Sequence, residues 1–142
     1  YSLTNERLGI PRYHLARTAL VRAVAMLKAQ GQWRGEIVKA EAGRCAALCE
    51  AARTANYAIV QKRTEALAVG PEASSARFAT VMAERAVCEF VVEFVPEALA
   101  DASPYLKMHH QRGIVAGIAA GAAEIQLNII ASDVLELPRE PR

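Results

Sequence analysis

The 142-residue sequence predicts an all-α fold, an antiparallel up-down four-helix bundle with long helices. Two positive signals and one missing signal predict it. Alanine and arginine are abundant while glycine and aromatics are scarce, a mixture that favours helix because alanine has the best intrinsic propensity. Apolar residues recur at spacings of three and four in four blocks separated by clear breakers. Sustained period-two alternation, the mark of a half-buried strand, is missing, so no sheet is expected.

The first block runs from about Leu3 to Gln30. Leu15, Ala19, Ala23, Met26 and Leu27 give it a helical phase, and Gly31 marks its stop. Pro11 lacks a backbone donor, so the helix either starts near it or kinks there. The second block, Gly35 to Val69, places Ile37, Cys45, Leu48, Cys49, Ala52, Ile59 and Leu67 on drifting helical phases and ends at Gly70-Pro71. Helices near thirty residues would be about 45 Å long. The third block opens with Pro71 and Glu72, good first-turn residues, and runs through Phe78, Val81, Met82, Ala86, Phe90 and Phe94 toward Leu99, with Pro96 interrupting its last turn. A loop, Asp101-Ala-Ser-Pro104, leads to the fourth block, Tyr105 to about Glu136, which Gly113, Gly117 and Gly121 can split into two shorter helices.

A chain of this length suits one compact domain with a single core. The net charge of +2 is too small for a nucleic-acid footprint, and the interspersed charges read as solvated helix faces. Cys45, Cys49 and Cys88 are odd in number and have no metal-ligand partners near them in sequence, so they read as small core residues in a reducing, cytoplasmic compartment. The polar start has no apolar signal-peptide core, and a chain opening at Tyr1 is expected to be a fragment or a trimmed product. The glycine-spaced run from Gly113 to Ala123 holds eleven uncharged residues against the roughly twenty that a membrane span needs, so it reads as close helix packing. No membrane or nucleic-acid partner is expected.

Function is most legible in the last quarter, Gly121-Ala-Ala-Glu124-Ile-Gln126-Leu-Asn128-Ile-Ile-Ala131, closed by Leu135-Glu-Leu137-Pro138. This segment resembles the carboxy-terminal signature of acyl-CoA dehydrogenases, Gly-Gly-Thr-x-Glu-Ile-Gln-x-x-Ile-Ala running on to Leu-Gly-Leu-Pro. The Glu-Ile-Gln core, the Ile-Ala and the Leu-x-Leu-Pro ending are present. Gly121 survives, but Ala120 and Ala122 flank it where the family has a glycine and a threonine nearby. The resemblance implies that residues 1–142 are the C-terminal helical domain of a longer enzyme that also has an N-terminal helical and a middle β-domain.

The activity so implied is FAD-dependent oxidation of acyl-CoA to trans-2-enoyl-CoA, in fatty-acid or steroid side-chain β-oxidation, with electrons passed to an electron-transfer flavoprotein. A carboxylate removes the α-proton while the β-hydrogen leaves as hydride to the flavin, and a dry pocket raises the pKa of the base toward its task. Many family members place that base immediately before the signature glycine, and the matching position here is Ala120. Another branch, resembling isovaleryl-CoA dehydrogenase, carries it on the first helix of this domain in a Leu-x-x-Glu-Arg context. Leu3-Thr-Asn-Glu6-Arg7 matches that context, followed by Gly9-Ile10, so Glu6 is the candidate base and Arg7 the candidate CoA contact. The residues alone leave another reading open, in which Glu6-Arg7 decorates an exposed first turn where a carboxylate favours the helix dipole.

For the cofactor, the resemblance places Gly121, Ala122 and Glu124 around the flavin, with a hydroxyl expected at Ala122. The Arg-x-Phe-Gly expected after the first helix has only a loose echo in Gly31-Gln-Trp33-Arg34-Gly35. The Gln-x-x-Gly-Gly expected after the third is replaced by Glu93-Phe-Val-Pro96-Glu97. These departures resemble the subunits of α2β2 heteromeric bacterial members in which one subunit type has lost part of the flavin machinery. A homo- or hetero-oligomer is expected. The alternative is a noncatalytic helical assembly subunit whose partner holds most of the flavin. Of the other polar landmarks, His109-His110 reads as a solvated helix start, His14 as a surface or satisfied residue, and Trp33 as a packing anchor.

Overall fold

A computed structural model of the chain describes residues 10–100, 102–118 and 122–138. Among the described residues there are five α-helices and no strand: α1 (Ile10–Ala29), α2 (Glu36–Thr64), α3 (Glu72–Phe94), α4 (Pro104–Ile114) and α5 (Ala123–Asp133), with a 3-10 turn at Pro96–Leu99. The all-helical expectation holds. The fourth block is two helices of eleven residues each, with turns at 115–118 between them, the split that its glycines allow.

Each helix ends for a local reason. After α1, Gly31 takes φ +70°, a left-handed conformation that glycine adopts at little cost. The amides of Gly31 and Gln32 then turn back onto Lys28 O and Leu27 O, at 3.1 and 2.8 Å. The same closure ends α2, but Ala66 stands in the left-handed position at φ 56°. Lys62, in the last turn of α2, pairs with Glu72 in the first turn of α3. Pro96 offers no amide to continue α3, and Pro104 occupies the first turn of α4, whose N-cap Ser103 accepts from Leu106 N at 3.4 Å.

The core is built on heptads. Along α2 the buried residues are Val38, Ala42, Cys45, Cys49, Ala52, Asn56 and Ile59, spaced alternately by four and three. A 3.5-residue repeat keeps one seam facing a neighbour over the whole helix, which is how α2 packs along α3 with small residues between them. Within that seam Asn56 Nδ2 donates to Thr80 Oγ1 at 3.0 Å and to Ala52 O at 2.8 Å, and Thr80 Oγ1 donates to Ala76 O at 2.9 Å. A buried amide that finds its partner in only one register fixes the sliding of α2 against α3. The fully buried Ala16, Ala19 and Ala23 carry the same small-residue packing onto α1, where Leu20, Leu27 and Phe90 supply most of the bulk.

α3 is the central element, packed against α1, α2, α4 and α5. Its two faces differ in chemistry. Ala83, Val87 and Phe90 belong to the apolar core, with buried Ala76 and Thr80 on the same spacing, whereas Arg77, Val81, Glu84 and Cys88, again four and three apart, form a stripe with three polar members. That polar stripe meets α4, the 115–118 turns and the start of α1.

Candidate functional site

Two buried charges of α3 hold two other segments. Glu84, 2% exposed, accepts from Arg12 Nε at 3.1 Å through its Oε1, and Arg12 is the third residue of α1. Arg77, also 2% exposed and two turns earlier on α3, donates from Nη2 to Ala116 O at 2.6 Å. Charge-assisted hydrogen bonds of this kind are strong where water is excluded. Together they draw the start of α1, a few residues after Glu6-Arg7, and the 115–118 turns, a few residues before Ala120-Gly121, onto one stripe of α3. Burial raises the pKa of Glu84, although Arg12, Arg77 and Arg112 all act to lower it. Burial and the neighbouring Arg12 lower that of Arg77, against the pull of Glu84. The second carboxylate oxygen, Glu84 Oε2, is buried without a hydrogen-bond partner.

One turn further along the stripe, Cys88 Sγ lies 3.6 Å from His109 Nδ1, and Gly113 faces the same thiol from α4. His109 is 3% exposed, so its expected place at a solvated helix start is corrected. Residues Leu106, His109 and Gly113 share the buried face of α4, and the adjacent His110 lies half-buried to one side. Desolvation, with Arg112 and His110 close by, pushes the pKa of His109 down to about 4 and keeps the ring neutral. His14 is exposed, as expected of a surface residue, and Trp33 packs against the core with Lys28 Nζ 5.7 Å from its ring centre.

Gly113 is a point of close approach. A methyl group there would overlap Cys88 Sγ and lie 3.4 Å from Cys88 Cβ. Gly113→Ala is therefore expected to cost about 1–3 kcal/mol, the usual range for overpacking a filled interior, measured by urea unfolding. Cys88→Ala on the same chain removes the overlapping sulfur and should recover most of that loss. A Gly113→Ala variant as stable as the parent would show that α4 is free to move off α3.

All three cysteines are buried and free. Burial pushes Cys45 and Cys49 up to about 11 and Cys88 up to about 12, so each stays a thiol and serves as a small core residue. Among the described residues no group of three or more His, Cys, Asp or Glu side chains is placed to hold a metal ion, and no helix is long and apolar enough to cross a membrane.

The candidate residues named from sequence divide in two. Glu6, Arg7, Ala120 and Gly121 lie outside the described residues. Glu124 is exposed in the first turn of α5, whereas Gln126, two residues on, is fully buried. The amide of Ala123 bonds to Gly117 O at 2.7 Å, which ties the start of α5 to the 115–118 turns. Sequence reasoning missed Arg12, Arg77 and Glu84. Arg77 and Glu84 are charges seven apart and so share one face of α3, but nothing in the sequence marks that face as covered.

The family model described as acyl-CoA dehydrogenase, C-terminal domain, matches residues 1–135. The chain therefore belongs to the acyl-CoA dehydrogenase family through its C-terminal domain. Among solved structures it is similar to the Tcur3481-Tcur3483 steroid ACAD, at 20% identity and a TM-score of 0.77 over 99% of this chain and 39% of that one. A glycine-to-alanine variant of that steroid ACAD is similar at 21% identity and a TM-score of 0.76, over 97% of this chain and 39% of that one. At these identities the likeness is one of fold. The chain spans about 39% of the length of the solved chains it matches. No curated protein matches it.

Family members generally bind FAD, and the described residues fit that role poorly. Ala122, the N-cap of α5, makes no side-chain cap bond and has no hydroxyl to offer a flavin. Glu124, the next polar side chain, is an acceptor when ionised and faces solvent at the helix end where a diphosphate would want donors.

Proposed function

We propose that this chain is the C-terminal helical domain of an acyl-CoA dehydrogenase that oxidises an acyl-CoA to the trans-2-enoyl-CoA in fatty-acid or steroid side-chain β-oxidation in the cytoplasm. In this reading it works as a subunit of a heteromer and hands electrons on to an electron-transfer flavoprotein. The observation that carries it is the family match over residues 1–135 joined to the convergence, on the Arg77–Glu84 stripe, of the two segments that lead to Glu6-Arg7 and to Ala120-Gly121. Glu6 is the base that takes the α-proton, and Arg7 contacts the CoA moiety. Ala120 has no proton-accepting group, so the usual base position is silent.

The N-terminal helical and middle β-domains belong to the complete protein in this reading. α1, α2 and α3 run up and down through their short connections, and α4 with α5 takes the fourth place of the bundle. The poor donor set at Ala122 and Glu124 favours FAD being held mainly by a partner subunit, with this chain contributing Gly121 and assembly. Exposed Ile125, Leu127, Val134, Leu135 and Leu137 on and after α5 are the apolar surface that an assembled subunit covers.

The test is the complete protein purified alone and together with the subunit encoded beside it. Visible flavin absorbance that appears only after co-expression supports the heteromer, and absorbance from the single chain overturns it in favour of a self-sufficient homo-oligomer. Absence of flavin in both moves this chain to a purely structural role. In a flavin-loaded assembly, Glu6→Gln should abolish most turnover while flavin stays bound. Unchanged turnover would sink the assignment of the base.

A further inference from the structure

We propose that a second copy of this chain covers the exposed side of α5, antiparallel to it, so that Asp133 and Glu136 of each copy meet Arg85 and Arg112 of the other. This rests on the reading above that the apolar surface of α5 is covered in an assembly, and goes further in naming what covers it. Only Ala123 and Gln126 of α5 are buried, while Ile125 and Leu127 lie exposed on opposite flanks of the helix. A helix that is apolar beyond its core face is one that a further surface covers. The tail widens that face. Leu135 N and Leu137 N turn back onto Ile130 O and Ala131 O, at 3.1 and 2.9 Å, and leave both leucines exposed beside the helix. Between α5 and the tail runs a cleft of about 500 Å³ whose walls include Ile125, Ile129 and Leu137.

Charge names the occupant. Residues 123–138 carry Glu124, Asp133 and Glu136 and no lysine or arginine. All three carboxylates are exposed, and two of them stand at the tail end. Glu136 takes φ 53°, a conformation that glycine adopts at little cost and glutamate only against strain. The opposite chemistry stands at the other end of α5. The amide of Ala123 bonds to Gly117 O, so the helix start sits on the 115–118 turns. Arg85 lies against Gly117, so closely that a methyl group there would overlap its guanidinium, and Arg112 stands in the last turn of α4 just before. Both arginines are exposed, and neither has an ion pair among the described residues. Glu84, the buried carboxylate next to Arg85, is already bonded to Arg12. Ile114, Val115 and Ile118, around Gly117 in the chain, are exposed as well. One copy therefore presents an apolar face with a cationic and an anionic end, roughly 16 Å apart along an eleven-residue helix. Turned end for end about a twofold axis, that face is its own complement, because each anionic end meets a cationic one. A partner of another sequence would need the same two ends in reverse order, and a second copy has them already.

The test uses the complete protein as parent, Arg85→Glu/Arg112→Glu, Asp133→Arg/Glu136→Arg, and an equimolar mixture of the two double variants. Sedimentation equilibrium gives the mass and dissociation constant of each, and circular dichroism checks that each is folded. The parent should be a dimer or a larger even-numbered oligomer. Each double variant alone should associate on the order of a hundredfold more weakly, since like charges then face each other at both ends of the interface. The mixture should recover most of that loss, because the glutamates of one variant face the new arginines of the other while the second contact keeps its original charges. Only a contact between chains can be rescued by mixing. A monomeric parent, double variants that associate as tightly as the parent, or a mixture no tighter than its components would each overturn the proposal. If a double variant fails to fold, the single changes Arg112→Glu and Glu136→Arg serve in the same scheme. If mixing restores association but no complex forms with the subunit encoded beside this chain, the heteromer reading fails while the self-contact stands. If that complex forms and mixing restores nothing, the self-contact fails and the heteromer stands.

Discussion

Arg77→Met should lower the unfolding free energy by ~1.5–3 kcal/mol, the range for losing a hydrogen bond from a charged donor and leaving a buried carbonyl unsatisfied. Arg77 is almost wholly enclosed, and its Nη2 supplies a 2.6 Å hydrogen bond to the carbonyl of Ala116, itself fully buried. Methionine fills part of the volume but leaves that carbonyl without its cationic donor. It also leaves Glu84 with one cation fewer in a place where burial already raises its pKa. Arg77→Lys should cost less, since the charge is kept while the planar fork is lost. Adding Glu84→Gln to Arg77→Met should return part of the loss, because the buried carboxylate left with Arg12 but without Arg77 nearby is then neutral. A coupling of about 1–3 kcal/mol between the two sites is expected from urea unfolding of the four chains in the cycle. A loss below ~1 kcal/mol for Arg77→Met would mean that packing alone holds the 115–118 turns to α3.

Acidification should destabilise the fold through His109. The folded pKa is lowered to about 4 by burial, while an unfolded histidine titrates at the ordinary value of 6.5. Since the depressed folded pKa marks a neutral ring, the full stability is present above pH 6.5. It is lost as the pH falls from there toward 4, because the unfolded chain takes up the proton first. The shift corresponds to a loss of up to ~3 kcal/mol at the acid end of this window. Glu84 works in the other direction: its folded pKa is raised, so its protonation relieves a buried charge as the pH falls. The two are separated by His109→Leu, which removes the ring and leaves Glu84 in place. Urea midpoints of parent and variant measured from pH 7.5 to 4 should diverge, with the parent losing more. A difference that stays constant with pH would show that His109 is not held neutral in the folded chain.

His109 also shows why part of the site could not be seen beforehand. In sequence it stands beside His110 and after Lys107, a polar stretch near a helix start. Only the docking of α4 on α3 turns it inward, through Leu106, His109 and Gly113 on one face. Gly113 had a sequence signal, as one of three glycines spaced by four, and the helix does end one residue later. What the spacing did not reveal is that its missing side chain makes room for Cys88, twenty-five positions away. The cysteines went the other way. Cys45 and Cys49 lie four apart among alanines, and a buried seam followed from spacing alone.

The sequence by itself determined that this chain is helical, where most helices stop, and which family it resembles. Those properties are local: propensity, the left-handed turn at Gly31, the prolines at 71, 96 and 104, and a contiguous signature from Gly121 to Pro138. Tertiary structure decided that His109 is buried and that Arg12, Arg77 and Glu84 form one cluster. Arg12 and Glu84 are seventy-two positions apart and Arg77 and Ala116 thirty-nine, and no periodicity links residues across such distances. A charge on a helix reads as solvated until a neighbouring helix covers it, and which helix covers it is settled only when the whole core packs.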